Sequence, residues 1–239
     1  MKKILYLFFV FLNLNAELVL EITESSDNPY RIAIHDFDGQ TLISNEISSI
    51  IKADLQRTGE FSVLSSNELL AEETYQGELN YKNYRLLGVD YILKGKINSK
   101  DRVNITVSYD IYDSVKEKKI RSSKIYGIPN KTRQLAHYVS DGIYEEITGL
   151  KGVSSTKMLY VSEGLEGSEK VYRLMLADAD GMNEQTLLKS NSAIISPSWS
   201  PDSKEIAYVS FETGLAKVFI QNIATGSREV AVKNKYQIS

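Results

Sequence analysis

The spacing of apolar residues changes along this chain. Between Glu17 and about Gly149, runs with a period of two alternate with runs at helical spacing; beyond Gly149 only the strand period recurs. The pattern predicts an α/β domain, a mixed sheet with helices, followed by an all-β region. In the first part, Leu18–Ile22 and Tyr30–Phe37 read as strands, with a turn at Asp38-Gly39. Ile47, Ile50, Ile51 and Leu55 then fall on one helical face, with Ser44 as a candidate cap and Gly59 just past the stop. Phe61–Leu64 is a short strand, Asn67–Glu73 a short helix and Val89–Ile97 a further strand.

From Arg102 to Asp113, Val103, Ile105, Val107, Tyr109 and Ile111 alternate with Asn104, Thr106, Ser108, Asp110 and Tyr112. This strand is expected to have one buried and one wet face, and to return through a charged turn at 116–118 into Ile120–Tyr126. Leu135, Tyr138, Val139, Ile143 and Ile147 mark one face of a closing helix that ends near Gly149, with His137 off that stripe. The predicted division is 1–16 leader, 17–149 α/β domain, 150–156 linker rich in Gly and Ser, and 157–239 strands only.

The leader is read from Lys2 and Lys3, the apolar run Ile4–Leu14, Asn15 and the small Ala16, the pattern of a secretory signal cleaved after Ala16. Leu14 departs from the usual small residue three positions before such a cut. A retained anchor or buried helix is the alternative, but the run is shorter than the roughly 20 residues of a spanning helix. Composition adds exclusions. A formal charge of −3 with interspersed signs offers no basic patch for nucleic acid, and the absence of cysteine removes disulfides and thiolate metal sites.

The strand-only region repeats. Met158-Leu159-Tyr160-Val161-Ser162 recurs as Ile206-Ala207-Tyr208-Val209-Ser210, and Ala179-Asp180-Gly181 as Ala224-Thr225-Gly226. A period near 40–45 residues with several short strands per unit is that of a β-propeller blade. Between the copies lies Ser196-Pro197-Ser198-Trp199-Ser200-Pro201-Asp202-Ser203-Lys204. Here Pro201 and Asp202 should make a turn, since Pro fixes φ and the Asp side chain can bond its own backbone. Trp199 is expected to be a large buried anchor, and Pro197 to belong to the same motif.

Chemistry is sparse. The two histidines, His35 and His137, come without a Gly-x-Ser-x-Gly elbow, so no nucleophile, base and orienting acid can be assembled from visible signals. Asp178, Asp180 and Asn183 suggest calcium, but the register of such a loop would place Leu176 and Leu187 where carboxylates are needed. No catalytic, cofactor or metal residue is therefore nominated, and neither substrate nor cofactor is expected.

Residues 196–205 resemble the Pro-Asp-Gly blade motif of the TolB family, with Ser203 where Gly is usual. Ile147–Lys157 is similar to that family's domain junction, Arg173–Gly181 to its first blade, and Gly88–Tyr91 with Gly95–Ile97 to its N-terminal domain. The resemblance implies a periplasmic scaffold of the Tol-Pal system with a six-bladed propeller. The propeller would bind the peptidoglycan-associated lipoprotein and the mature N-terminus would bind TolA, in support of outer-membrane constriction and integrity. With two blades present, the propeller is expected to be incomplete and the chain truncated. The resemblance places the TolA contact near Glu17, Leu18, Val19, Leu20, Glu21, Ile22 and Thr23, where Leu18, Leu20 and Ile22 share one face of an extended segment. Such a segment can add as a strand to a partner's sheet or serve as an ordinary edge strand of its own domain. An exported propeller acting as a ligand-binding or peptidase-accessory module is the second reading.

Overall fold

The computed structural model describes residues 28–39, 41–65, 67–68, 75–99 and 103–231. The leader, the 17–23 segment with its strand, most of the 67–73 helix and residues 232–239 lie outside the described residues.

The N-terminal domain is a five-stranded mixed sheet. Its strands are β1 (Tyr30–Ile34), β2 (Phe61–Val63), β3 (Tyr91–Ser99), β4 (Ile105–Asp113) and β5 (Lys118–Gly127), in the order β2-β1-β3-β4-β5. β1 is parallel to both β2 and β3, and β3, β4 and β5 run antiparallel. Helices α1 (Thr41–Arg57) and α3 (Thr132–Thr148) cover one face. Ile32, Ile34, Leu93, Val107, Tyr109 and Ile111 meet Ile47, Ile51, Leu55, Leu135, Val139 and Ile143 there. Gly59 at φ +74° and Gly149 at φ +75° end the two helices in the left-handed conformation that glycine adopts without Cβ strain. Ser44 is an interior residue of α1 and not its cap. Its carbonyl accepts from the Ser48 hydroxyl at 2.8 Å, and Ser48 Oγ in turn accepts the Phe37 N–H at 3.1 Å.

The expected wet face of β4 is buried: Ser108 and Asp110 are 2% and 4% exposed. The cover comes from residues 75–80 and a short helix, α2 (Tyr81–Leu86), which the apolar pattern does not predict. Tyr84 packs with Ala33, Leu64, Val89 and Ile92, flanked by Leu79, Tyr81 and Tyr112. Buried Lys94 reaches the Gly77 carbonyl at 2.8 Å, and Lys119 pairs with Asp110 at 3.0 Å. Lys94 and one oxygen of Asp110 are thus satisfied by protein groups instead of water.

The all-β part holds two antiparallel sheets. The first is β6 (Lys157–Glu166), β7 (Glu169–Asp178) and β8 (Gln185–Ser190). The second is β9 (Ile194–Trp199), β10 (Glu205–Ser210), β11 (Lys217–Asn222) and β12 (Arg228–Val230), in the order β12-β11-β10-β9. β6 corresponds to β10 in the repeat, so the first sheet lacks, among the described residues, a partner equivalent to β9. The sheets stack through one shared core of Leu174, Ile194, Ile206, Tyr208 and Phe219, with Leu159, Val161 and Trp199 at its margin. Trp199 is half-buried, because it ends β9 at the sheet margin. The buried anchor of this blade is Tyr208, 1% exposed, stacked on Phe219 with ring centres 5.9 Å apart.

Candidate functional site at the domain junction

The blade motif is a closed hydrogen-bond ring. Asp202 Oδ1 bonds the Ser200 hydroxyl at 2.7 Å and accepts the Lys204 N–H at 3.2 Å; Ser200 Oγ also accepts the Glu205 N–H at 3.0 Å. Pro201 occupies the turn that the Ser203 N–H closes onto the Ser200 carbonyl at 2.9 Å. Pro197 sits at a bulge, where β9 carries one more residue than β10 between Ile195 and Ser198 and Ser196 has φ +52°. A bulge tolerates the N–H that proline lacks. Ser203 has φ +58°, so the position at which the resemblance leads one to expect glycine is left-handed. Replacing Ser203 with Gly is expected to stabilise the second blade by about 0.5–1 kcal/mol, relief of Cβ strain outweighing glycine's extra chain entropy. A higher midpoint in a melt followed by fluorescence of the single tryptophan, Trp199, checks it.

A set of paired polar groups lies where α3 meets the first sheet. The linker is strapped to α3: Asp141 accepts the N–H groups of Ser154 at 2.7 Å and Ser155 at 3.0 Å. Gly152 passes so close that a Cβ would stand 2.6 Å from Asp141 Cα. About two turns upstream on α3, Arg133 pairs with Asp180 in the turn after β7, and Lys157 pairs with Asp178, which also accepts from Asn183 at 2.6 Å. Burial pushes the Asp178 carboxyl up, but the bonds from Lys157 and Asn183 prevail and hold it below its usual range. These aspartates and Asn183 build the blade turn; the Gly181 N–H closes it onto the Asp178 carbonyl at 2.9 Å.

Behind that turn is a buried group that sequence reasoning missed. His137, off the predicted stripe, is 3% exposed; its Nδ1 lies 2.7 Å from Asp54 Oδ2, and the Ser140 hydroxyl donates to the same oxygen at 2.8 Å. Arg57 bonds the other Asp54 oxygen at 3.1 Å. Burial raises the Asp54 carboxyl, yet the bonds from His137, Ser140 and Arg57 hold it below the ordinary range. A signal was available: Asp54 stands three residues after Ile51 and one before Leu55, on the apolar stripe of α1. Serine, histidine and aspartate do converge here, but the aspartate is central. A nucleophile needs histidine between serine and carboxylate, and Ser140 is itself buried. His35, the other histidine, pairs with the Tyr84 hydroxyl at 2.7 Å. Beside the junction opens a cleft of about 460 Å³, lined by residues that include Glu46, Arg133, His137, Lys157 and Asp178.

A mixed α/β domain buttressed through its last helix onto paired antiparallel sheets defines the class: an α/β module carrying blades of a β-propeller. Two family models match in tandem, the TolB amino-terminal domain over residues 18–120 and the TolB beta propeller domain over residues 144–239. The chain belongs to the TolB family. It is 38% identical over 215 residues to the Tol-Pal system protein TolB of Alcanivorax borkumensis, covering 90% of this chain and 49% of that protein. The protein of the same name from Bordetella avium is 37% identical, with 90% of this chain and 47% of that protein covered. The crystal structure of TolB from Acinetobacter baumannii superposes with a TM-score of 0.79 at 33% identity, over 89% of this chain and 51% of that one. The chain thus spans about half the length of the relatives it matches. Among the described residues, no helix is long and apolar enough to cross a membrane.

Proposed function

We propose that this chain works as a non-enzymatic scaffold of the Tol-Pal system in the periplasm, reached by export and cleavage after Ala16. In this reading its mature N-terminus engages TolA and the complete propeller engages the peptidoglycan-associated lipoprotein, in support of outer-membrane constriction and integrity. The observation that carries it is the tandem of TolB amino-terminal and propeller domains in one chain. The wiring of Asp54, His137 and Ser140 agrees with a scaffold, since the serine is fixed to the carboxylate and away from solvent.

TolA recognition is assigned to Glu17–Thr23 by strand addition, in which backbone hydrogen bonds supply affinity and alternate side chains supply selectivity. Replacing Val19 or Glu21 with Pro removes one backbone donor at each position. Each variant is expected to bind the C-terminal domain of TolA at least about tenfold more weakly by calorimetry. Unchanged affinity in both variants, with an intact circular dichroism spectrum, removes this segment from the interface.

A further inference from the structure

The two nitrogens of His137 face different domains. Nδ1 is bonded to Asp54 of α1 at 2.7 Å, whereas Nε2, although buried, has no hydrogen-bond partner among the described residues. Asp180 Oδ2 of the first blade lies 3.8 Å from it. Asp54 holds its carboxylate in the charged form, so in a neutral ring the Nδ1 hydrogen goes to Asp54 and the Nε2 lone pair points at a second carboxylate. One added proton reverses that conflict, because the imidazolium donates from both nitrogens, one to each domain.

We propose that His137 is a proton-operated latch between the N-terminal domain and the first blade. Proton uptake on Nε2 draws the turn at Asp180 onto α3, and proton loss restores the lone pair and loosens the contact. The charged groups around the ring are Asp54 and Arg57 on α1, Arg133 on α3, and Asp178, Asp180 and Lys157 on the blade, with Glu46 across the cleft. Arg133 already pairs with Asp180, so the histidine tunes a contact that is already made. A proton suits the site better than a metal ion. Asp54 sits on the other ring nitrogen and Arg133 occupies the same Asp180 oxygen, which leaves one nitrogen and one crowded carboxylate as ligands.

The chain has only two histidines, so NMR titration of the full chain resolves both rings. Protonation of His137, followed by the ring's own chemical shifts as the pH is lowered, is expected to slow hydrogen exchange at the Asp178 and Gly181 amides at least about threefold after correction for intrinsic rate. Asp180→Asn, on the blade turn and outside the helical core, should leave the His137 titration observable and abolish the change in exchange; His137→Gln should abolish it too. Exchange independent of pH in the unmodified chain, or an undiminished pH effect in Asp180→Asn, overturns the latch. So does one equivalent of zinc that stops the ring titrating and protects the turn at pH 8, which would assign a metal site instead.

Discussion

Substituting Asp54 with Ala lowers the unfolding free energy of the N-terminal domain by about 3–5 kcal/mol, the range for removing one partner of a buried charged group. The reason is the number of groups that lose their acceptor together. His137 and Ser140 are 3% and 1% exposed and share one Asp54 oxygen, while Arg57 holds the other. Without the carboxylate the buried His137 Nδ1 loses its partner with no water to turn to, while Ser140 keeps only the Ala136 carbonyl at 3.0 Å. Urea unfolding followed by far-ultraviolet circular dichroism measures the loss, and Asp54→Asn, which keeps an acceptor oxygen, should lose less. The pH dependence has a defined sign. The folded carboxyl titrates below its ordinary value of 3.8, so its contribution is present above that value and disappears as the pH falls through the lower, folded one. A cost below about 1 kcal/mol at neutral pH would show that the cluster does not hold α1 to α3.

The second large effect separates two aromatic residues of one blade. Tyr208→Ala is expected to cost about 3–5 kcal/mol and to unfold the second sheet, while Trp199→Ala should cost clearly less. Tyr208 is 1% exposed, stacks on Phe219 and bonds Gln221 at 3.1 Å; Trp199 is half-buried at the margin of the same core. Near-ultraviolet circular dichroism reads both variants without relying on the lost tryptophan. An equal or larger loss for Trp199→Ala would restore it as the anchor that its size suggests.

Much of the architecture was legible because it depends on neighbours in sequence. The α1 stripe of Ile47, Ile50, Ile51 and Leu55, the left-handed Gly59 and Gly149, and the hairpin of β4 and β5 all follow from spacings of a few residues. The repeat of 158–162 at 206–210 became β6 and β10, and in both copies the following strand ends in a turn closed by glycine, Gly181 onto Asp178 three residues back and Gly226 onto Asn222 four residues back. The ring around Asp202 was likewise readable, since Pro201 and Asp202 act within their own turn. Less legible was α2. With six residues and one buried side chain it has too little apolar periodicity to register, and only the Asn80 side chain accepting from Asn83 marks its start.

What this sequence determines by itself is the class of each segment and the order of segments, because periodicity, capping and turn chemistry act over one to four positions. Tertiary structure alone decided which polar residues are inside. Alternation along β4 shows two faces and cannot show that residues 75–86 return to cover the polar one, so Ser108 and Asp110 read as wet and are buried. The same limit applies at the junction. Asp54 and His137 are 83 positions apart, and Asp180 belongs to a different domain; no local rule connects them until α1, α3 and the first blade pack. Burial then removes the water that would have served each group separately, and that leaves His137 between two carboxylates with one nitrogen unsatisfied among the described residues.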